Sequence, residues 1–167
     1  MHLKPVLLAT AAALTLTASL AGCSKAQIES TTNSMKAKHA EAIDACALLS
    51  DDEIAAYIPK PFVKKPTGNG VDNAASCNWE NPDNYKSVTL DVGPEDSAPG
   101  NTLPSPKAGF ESHYHDGPDG LRSFSGQLEF PASNRHNYVQ VVANLTGDAD
   151  EQSMLALAKL VSPRIPS

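Results

Sequence analysis

The stretch ASCNWENPDNYKSVTLDV, residues 75–92, decides the fold that we expect for this chain. Apolar and polar side chains alternate on both sides of an Asn-Pro-Asp-Asn turn at 81–84, which is typical of two antiparallel strands joined in a hairpin. In the first strand Cys77 and Trp79 share a face, so we expect Trp79 to be a core aromatic, with a ligand-stacking platform as the alternative. The second strand places three apolar residues on one face: Val88, Leu90 and Val92.

Cys77 has a predicted partner upstream. Of the three cysteines, Cys23 is explained by the N-terminal segment described below, which leaves the even pair Cys46 and Cys77. In a chain sent to an oxidising compartment such a pair predicts a disulfide, which the chain-entropy model values at ~3 to 4 kcal/mol for a loop of about thirty residues. A redox-active or metal-binding pair is the alternative, but it would favour a close C-x-x-C spacing or histidine partners.

Residues 1–22 have the features of a bacterial lipoprotein signal peptide. A weakly basic start precedes an apolar run over 5–20, and the small residues Ala21 and Gly22 stand directly before Cys23. Cleavage at this point would leave the Cys23 thiol to take up a diacylglyceryl group. An uncleaved membrane anchor is the alternative, because the run approaches the roughly 17 to 25 residues that can span a bilayer.

These features predict the domain organisation and the location. The mature chain begins at lipidated Cys23 and stays on a lipid bilayer, because two or three acyl chains anchor stably where one does not. We expect it in the cell envelope, on the non-cytoplasmic side of a bacterial membrane, which is the outer membrane if the host has one. Residues 23–41 are polar and form a flexible tether, and residues 42–167 form a single domain, which we expect to be monomeric.

The rest of the chain completes an α+β fold. Ser50 and Glu53 form a capping box before a short helix, and Asp148 and Glu151 form a second cap before a C-terminal amphipathic helix. Further strands are predicted over 121–130, where Phe124, Leu128 and Phe130 have even spacing, and over 138–145, where Val139, Val141, Ala143 and Leu145 share a face. The fold class is therefore an antiparallel sheet with an N-terminal short helix and a C-terminal helix packed on it, pinned by one disulfide.

Two loops are predicted between these elements. Residues 59–73 carry the basic cluster Lys60, Lys64 and Lys65 among prolines, which indicates a solvated loop. The segment from Gly93 to Gly109 is long and rich in proline, so it is a lid, a binding loop or a disordered stretch.

Charge and motifs exclude several functions. The chain of 167 residues has a formal net charge of −6, so an exported domain of this kind is a poor candidate for nucleic-acid binding. The sequence lacks a G-x-S-x-G nucleophile elbow and a glycine-rich phosphate loop. We therefore expect no enzyme and no cofactor.

Glu111, His113 and His115 are the candidate residues for metal chemistry. On a strand these three side chains would point to one side, where they could hold Zn²⁺. A pH response is a second use, since histidine titrates near 6.5. The turn that follows favours a third interpretation, in which they are solvated surface residues, so no metal site is assigned.

The stretch from Asp44 to Ser50, followed by Cys77-Asn78-Trp79 and the strand around Leu90, resembles a group of bacterial lipoproteins best known from actinobacteria. In that group a D-P-C-x-L-L-[ST] start leads into a short helix, and this chain has Ala45 in place of the proline. The resemblance covers mainly residues 44–92 and implies a disulfide-pinned domain without implying a catalytic residue. At the level of the fold the chain is also similar to the PsbP-like architecture of some exported binding domains.

These observations predict a membrane-anchored, non-catalytic binding domain. It would bind a protein or a small ligand through its sheet face and its long loop. The alternatives are an inhibitor or immunity lipoprotein that acts on an envelope enzyme, and a metal-responsive or pH-responsive domain.

Overall fold

The hairpin at residues 75–92 forms, and it belongs to a seven-stranded antiparallel sheet with strand order β1-β2-β3-β7-β6-β5-β4. The structure is a computed structural model that describes residues 43–68, 74–144 and 147–167. All of these belong to one unit, Ala40–Ser167. The predicted signal peptide, Cys23 and the tether lie outside the described residues.

The strands are β1 Val63–Pro66, β2 Ala75–Glu80, β3 Ser87–Val92, β4 Tyr114–Asp116, β5 Arg122–Phe124, β6 Gln127–Ala132 and β7 Arg135–Val142. The α-helices are α1 Asp51–Ala55 and α2 Gly147–Val161. Short 3-10 helices lie at Ala45–Ala47, Pro99–Asn101, Glu111–His113, Pro118–Gly120 and Ser162–Arg164. The predicted fold class, α+β with a helix at each end of the domain, is confirmed.

One face of the sheet carries the core, as the period of two predicts. Cys77 lies opposite Leu90 and Trp79 lies opposite Val88, and all four side chains are fully buried. The 3-10 helix Ala45–Ala47 packs on β2, while α2 packs on β7 and β6. Their buried residues join one cluster with those of the strands, so both helical segments cover the same face of the sheet. The buried apolar residues of α2 are those predicted at helical spacing: Met154, Leu157, Ala158 and Val161.

The predicted disulfide Cys46–Cys77 is present, with a Cα–Cα distance of 5.1 Å. It joins the 3-10 helix Ala45–Ala47 to the centre of β2. The capping box also forms, because the Glu53 amide donates to Ser50 Oγ (3.3 Å) and the Ser50 amide donates to Glu53 Oε2 (2.8 Å). Arg164 donates two further hydrogen bonds to Glu53, at 2.7 and 3.0 Å, and ties the end of the chain to α1. These bonds, those from Arg164 first, lower the pKa of Glu53 to about 2.

The prediction of a loop over 59–73 is wrong in part, because this segment contains strand β1. β1 pairs with β2 in the register Lys64↔Trp79, and the Thr67 amide extends the ladder by donating to the Ser76 carbonyl at 3.0 Å. All four residues of β1 are exposed, so its side chains carry no apolar alternation from which a strand could be predicted. Backbone pairing with β2 forms this strand.

The prediction of one strand over 121–130 is wrong, because β5 and β6 are separate strands. Ser125 and Gly126 have φ of 50° and 78°, the left-handed pair that a tight hairpin turn requires. Phe124 therefore lies opposite Gln127 and not on the face of Phe130. The even spacing continues across the turn by coincidence, so the pattern alone did not reveal it.

The last strand and the second cap differ in part from the prediction. β7 begins at Arg135, before the predicted start, and ends at Val142, with Val139 and Val141 buried on the predicted face. Ala143 is also buried, just beyond the strand. Leu145 lies outside the described residues, and the side chain of the predicted cap residue Asp148 is also not described. In the described ranges no helix is long and apolar enough to cross a bilayer.

Candidate binding face

The second face of the sheet is covered by neither α1 nor α2. Strand register places polar and aromatic side chains there, and most of them are half-buried by their neighbours on adjacent strands. We call this side of the sheet the open face. Its residues are Val63 and Lys65 in β1, Ser76, Asn78 and Glu80 in β2, Ser87, Thr89 and Asp91 in β3, Tyr114 and Asp116 in β4, Arg122 and Phe124 in β5, Gln127, Glu129 and Pro131 in β6, and His136, Tyr138, Gln140 and Val142 in β7.

A buried ion pair lies under one half of the open face. Arg122 and Glu129 are directly opposite on β5 and β6, and their side chains are only 7% and 4% exposed. Nε of Arg122 donates to Glu129 Oε2 at 2.7 Å, and Nη2 donates to the same oxygen. Nη1 donates to the Pro104 carbonyl (2.9 Å), and the Tyr114 ring lies 4.6 Å from the guanidinium. Both charges are thus compensated, which a buried pair requires.

His136 connects this ion pair to Tyr138. Its Nε2 lies 3.3 Å from Glu129 Oε2 without hydrogen-bond geometry, and its Nδ1 lies 3.3 Å from the Tyr138 hydroxyl. Burial lowers the pKa of His136; Glu129 opposes this effect and Arg122 adds to it. The ring is therefore neutral at pH 7. Burial, and then the charge of Glu129, raise the pKa of Tyr138, so its hydroxyl remains protonated and able to donate.

A groove of about 450 Å³ opens on the other side of Tyr138. Asp91 and Ser76 line it from β3 and β2, and Thr67 lines it from beyond the end of β1. Thr67 Oγ1 donates to Ser76 Oγ at 2.7 Å, whereas Asp91 has no hydrogen bond or ion pair among the described residues. The groove therefore presents one uncompensated, half-buried carboxylate beside hydroxyl groups.

The first part of the loop from Gly93 to Gly109 is fixed to the end of the sheet. The Gly93 carbonyl accepts from Arg135 Nη1 (2.8 Å), and the Ala98 amide donates to the Asn134 carbonyl (2.9 Å). Ala98 is fully buried. A Cβ atom on Gly93 would lie 2.1 Å from the carbonyl oxygen of His136, so only glycine allows this close approach. This part of the loop belongs to the folded domain and borders the groove.

The structure does not bring the three candidate metal ligands together. Glu111 and His113 lie in a 3-10 helix, and only His115 lies in β4, so the expected shared strand face is wrong. The Glu111 carboxylate accepts from the Gly109 amide at 2.9 Å, which shows that it serves the local turn. Among the described residues no group of three or more His, Cys, Asp and Glu side chains is placed to hold a metal ion.

The other residues singled out by sequence have structural positions. Trp79 is fully buried, so it is a core aromatic and not a stacking platform. The lysine cluster is paired rather than free, with Lys60 contacting Asp52 at 2.9 Å and Lys64 contacting Asp51 at 2.9 Å. The third lysine, Lys65, lies 4.0 Å from Glu80.

Sequence reasoning missed the group formed by Arg122, Glu129, His136 and Tyr138. No sequence signal was available for it, because Gln127 and Glu129 alternate with Leu128 and Phe130, which is the pattern of a strand whose polar side is solvated. The partner of Glu129 depends on strand order, which the pattern does not contain.

The open face can therefore offer hydrogen-bonding side chains, two ring pairs and two carboxylates without a partner among the described residues, half-buried Asp91 and exposed Asp116, to a ligand. The ring pairs are Tyr114 with Phe124, stacked at 4.2 Å, and His136 with Tyr138 at 4.4 Å. Aromatic and polar side chains on an uncovered surface are typical of a binding surface. Comparisons with protein-family models, with curated proteins and with solved structures give no match, so the functional argument rests on this geometry.

Proposed function

We propose that this chain is a lipid-anchored protein of the bacterial cell envelope whose domain binds another protein on the open face and has no catalytic role. The single observation that carries the proposal is the asymmetry of the sheet. Helical segments cover one face, while neither α-helix of the described residues lies on the other, which carries ordered polar and aromatic side chains.

The extent of the open face favours a protein ligand over a small molecule. Seven strands at the usual spacing span about 30 Å, and the part around Arg122 and Glu129, which are buried with Arg122 bonded to the Pro104 carbonyl, is closed to a ligand. A stable protein interface buries roughly 800 Å² on each partner, and a surface of this width can supply that area. The face is polar at its centre, where Asn78 Nδ2 donates to Thr89 Oγ1 (2.9 Å) beside Gln140, and such surfaces are common in interfaces that form and dissociate.

The anchor is supported by the sequence around Cys23. A small-residue pair directly precedes this cysteine, and an apolar run precedes the pair, which is the arrangement that lipoprotein processing requires. A lipid at Cys23 would hold the domain near a membrane and raise the local concentration of a partner on the same surface.

The anchor is tested by expressing the full chain in a bacterium that is fed an alkyne-labelled fatty acid. The wild-type chain is expected to carry the label and to sediment with membranes, and Cys23→Ala is expected to lose both properties. Ser24→Ala, which changes only the neighbouring residue, is the control and should keep the label. Unlabelled wild-type chain would contradict the anchor and leave the binding proposal standing.

The binding face is tested with the same substitution on the two sides of the sheet. Gln140→Lys places a charge in the open face, and Gln152→Lys places one on the exposed side of α2. Each oxidised mature chain is used to capture proteins from an envelope extract of the source bacterium, followed by a binding measurement with the captured protein. Gln140→Lys should weaken binding about tenfold, as expected for a central interface position, and Gln152→Lys should leave it unchanged. Equal effects, or no captured protein, would contradict the proposal.

A further inference from the structure

We infer that the groove beside Asp91 receives a lysine or arginine side chain of the protein that binds the open face. The inference rests on the proposed function and names the chemistry of the partner. Three observations support the inference: the charges on the open face, the polar residues that line the groove, and the volume of the groove.

Asp91 differs from Glu80 and Glu129, the acidic residues on the strands around it, because it lacks a cation partner in the described part of the chain. Glu80 lies 4.0 Å from Lys65 on the neighbouring strand, and Glu129 is bound by Arg122. Asp91 occupies the same sheet row as Glu129, opposite Tyr138 of β7, yet it has no cation beside it among the described residues. A half-buried carboxylate without a partner is costly, and a cation from a bound protein would compensate it.

The polar atoms around Asp91 suit a cationic donor. A lysine or arginine head group has only N–H donors, so its site must supply acceptors. Besides Asp91, three residues that carry a hydroxyl group line the groove: Tyr138, Ser76 and Thr67. The Tyr138 hydroxyl is held near His136 Nδ1 at 3.3 Å, so its position is set before a ligand arrives. Arginine also stacks on aromatic rings, and Tyr138 provides one in the same groove.

The groove has room for a long side chain. Its volume of about 450 Å³ lies within the usual range for ligand sites, and Val92 and Gly93 line it beside Asp91. The chain as a whole attracts cations, because it carries a formal net charge of −6. Charge complementarity thus favours a partner that presents a basic residue at this point of the open face.

The groove is tested directly with a small probe. ¹⁵N-labelled mature chain is titrated with Nα-acetyl-arginine amide, and with the uncharged analogue Nα-acetyl-citrulline amide as the ligand control. We expect the arginine compound to shift the amide signals of Ser76, Val92 and Gly93, and the citrulline compound to leave them in place. Asp91→Asn should weaken this binding about fivefold or more. Glu151→Gln, which removes one exposed carboxylate from α2 on the other side of the sheet, should leave it within twofold.

Arginine-dependent shifts that are spread over the surface, or that are equal in the two variants, would overturn the inference. The captured partner gives a second readout, because Asp91→Asn should weaken its binding and Glu151→Gln should not. If binding of the partner is weakened by Gln140→Lys but not by Asp91→Asn, the inference about the groove is wrong and the proposed function still holds. If no partner is captured, the proposed function fails, and the arginine titration still decides whether the groove binds a cation.

Discussion

The apolar core on the covered face and the ion pair on the open face bury their side chains in different ways. On the covered face, Trp79, Phe130 and Leu157 are fully buried among apolar neighbours. On the open face, Arg122 and Glu129 are buried almost as completely, but each depends on a specific charged partner. Apolar packing is non-directional, whereas a buried charge needs its counter-charge and its hydrogen bonds in place.

Two side chains that are equally buried can therefore differ in how well they tolerate substitution. Loss of an apolar side chain costs the transfer free energy and a cavity, and the cost depends on how far the neighbours relax. Loss of one member of an ion pair leaves the other charge buried without compensation. The substitutions below test this contrast.

The largest effect is expected from Phe130→Ala on the covered face. Phe130 is fully buried, so its removal should lower the free energy of unfolding by about 4 kcal/mol. Phe124→Ala is the matched change on the open face, where the half-buried ring stacks on Tyr114 at 4.2 Å, and it should cost about 1.5 kcal/mol. Urea unfolding at pH 7 measures both. Equal losses would mean that the open face is packed as a second core.

Removal of the disulfide is expected to have the next largest effect. Cys46 and Cys77 are 31 residues apart, so replacing both by alanine should lower the free energy of unfolding by about 3 to 4 kcal/mol in the chain-entropy model. The measurement is urea unfolding with and without a reducing agent. The reductant should destabilise the wild-type chain and leave the variant unchanged, and a wild-type chain insensitive to reduction would contradict the assignment.

Arg122→Met tests the open face itself. Glu129 would remain buried without its cation, which should cost about 3 kcal/mol at pH 7. The double variant Arg122→Met, Glu129→Leu removes both charges and should recover most of the loss. Additive costs in this double-mutant cycle would show that the two residues act independently.

The smallest effect concerns pH and His136. Because burial lowers the pKa of His136 in the folded state, the unfolded chain binds the proton first as pH falls below about 6.5. Stability should therefore decrease from that pH downwards, until the lowered pKa of the folded state is reached. His136→Gln should flatten the decrease, as measured by urea unfolding between pH 7 and pH 5. Glu53 affects both chains equally, and its stabilisation is lost only as pH falls from its unfolded pKa of 4.5 towards its folded pKa of about 2. An unchanged slope in the variant would contradict the assignment.

Much of the covered face could be predicted from the sequence, because its signals are local. Alternation over residues 75–92 predicted the hairpin and its buried side, and the spacing Ser50 to Glu53 predicted the start of α1. Export and the even cysteine pair predicted the disulfide. Helical spacing predicted the buried side of α2. Each of these sequence patterns spans only a few residues or depends on composition, so it can be recognised without knowledge of the fold.

The open face could not be predicted in the same way. Glu111, His113 and His115 are adjacent in sequence, but local 3-10 geometry separates their side chains. Conversely, Asp91 and Tyr138 are distant in sequence and lie opposite each other in the sheet. A polar alternation marks a solvated strand face wherever it occurs, and it does not indicate which strands are neighbours.

The sequence therefore specifies the central hairpin, the start of α1, the buried side of α2 and the covalent link between Cys46 and Cys77. Only the tertiary structure decided the composition of the open face, because β7 inserts between β3 and β6 and so brings Asp91, Tyr138, Glu129 and Arg122 into one row. Apolar periodicity indicates which side chains are buried. The partners of a polar side chain depend instead on the order in which distant strands pair, and this order is not a local property of the sequence.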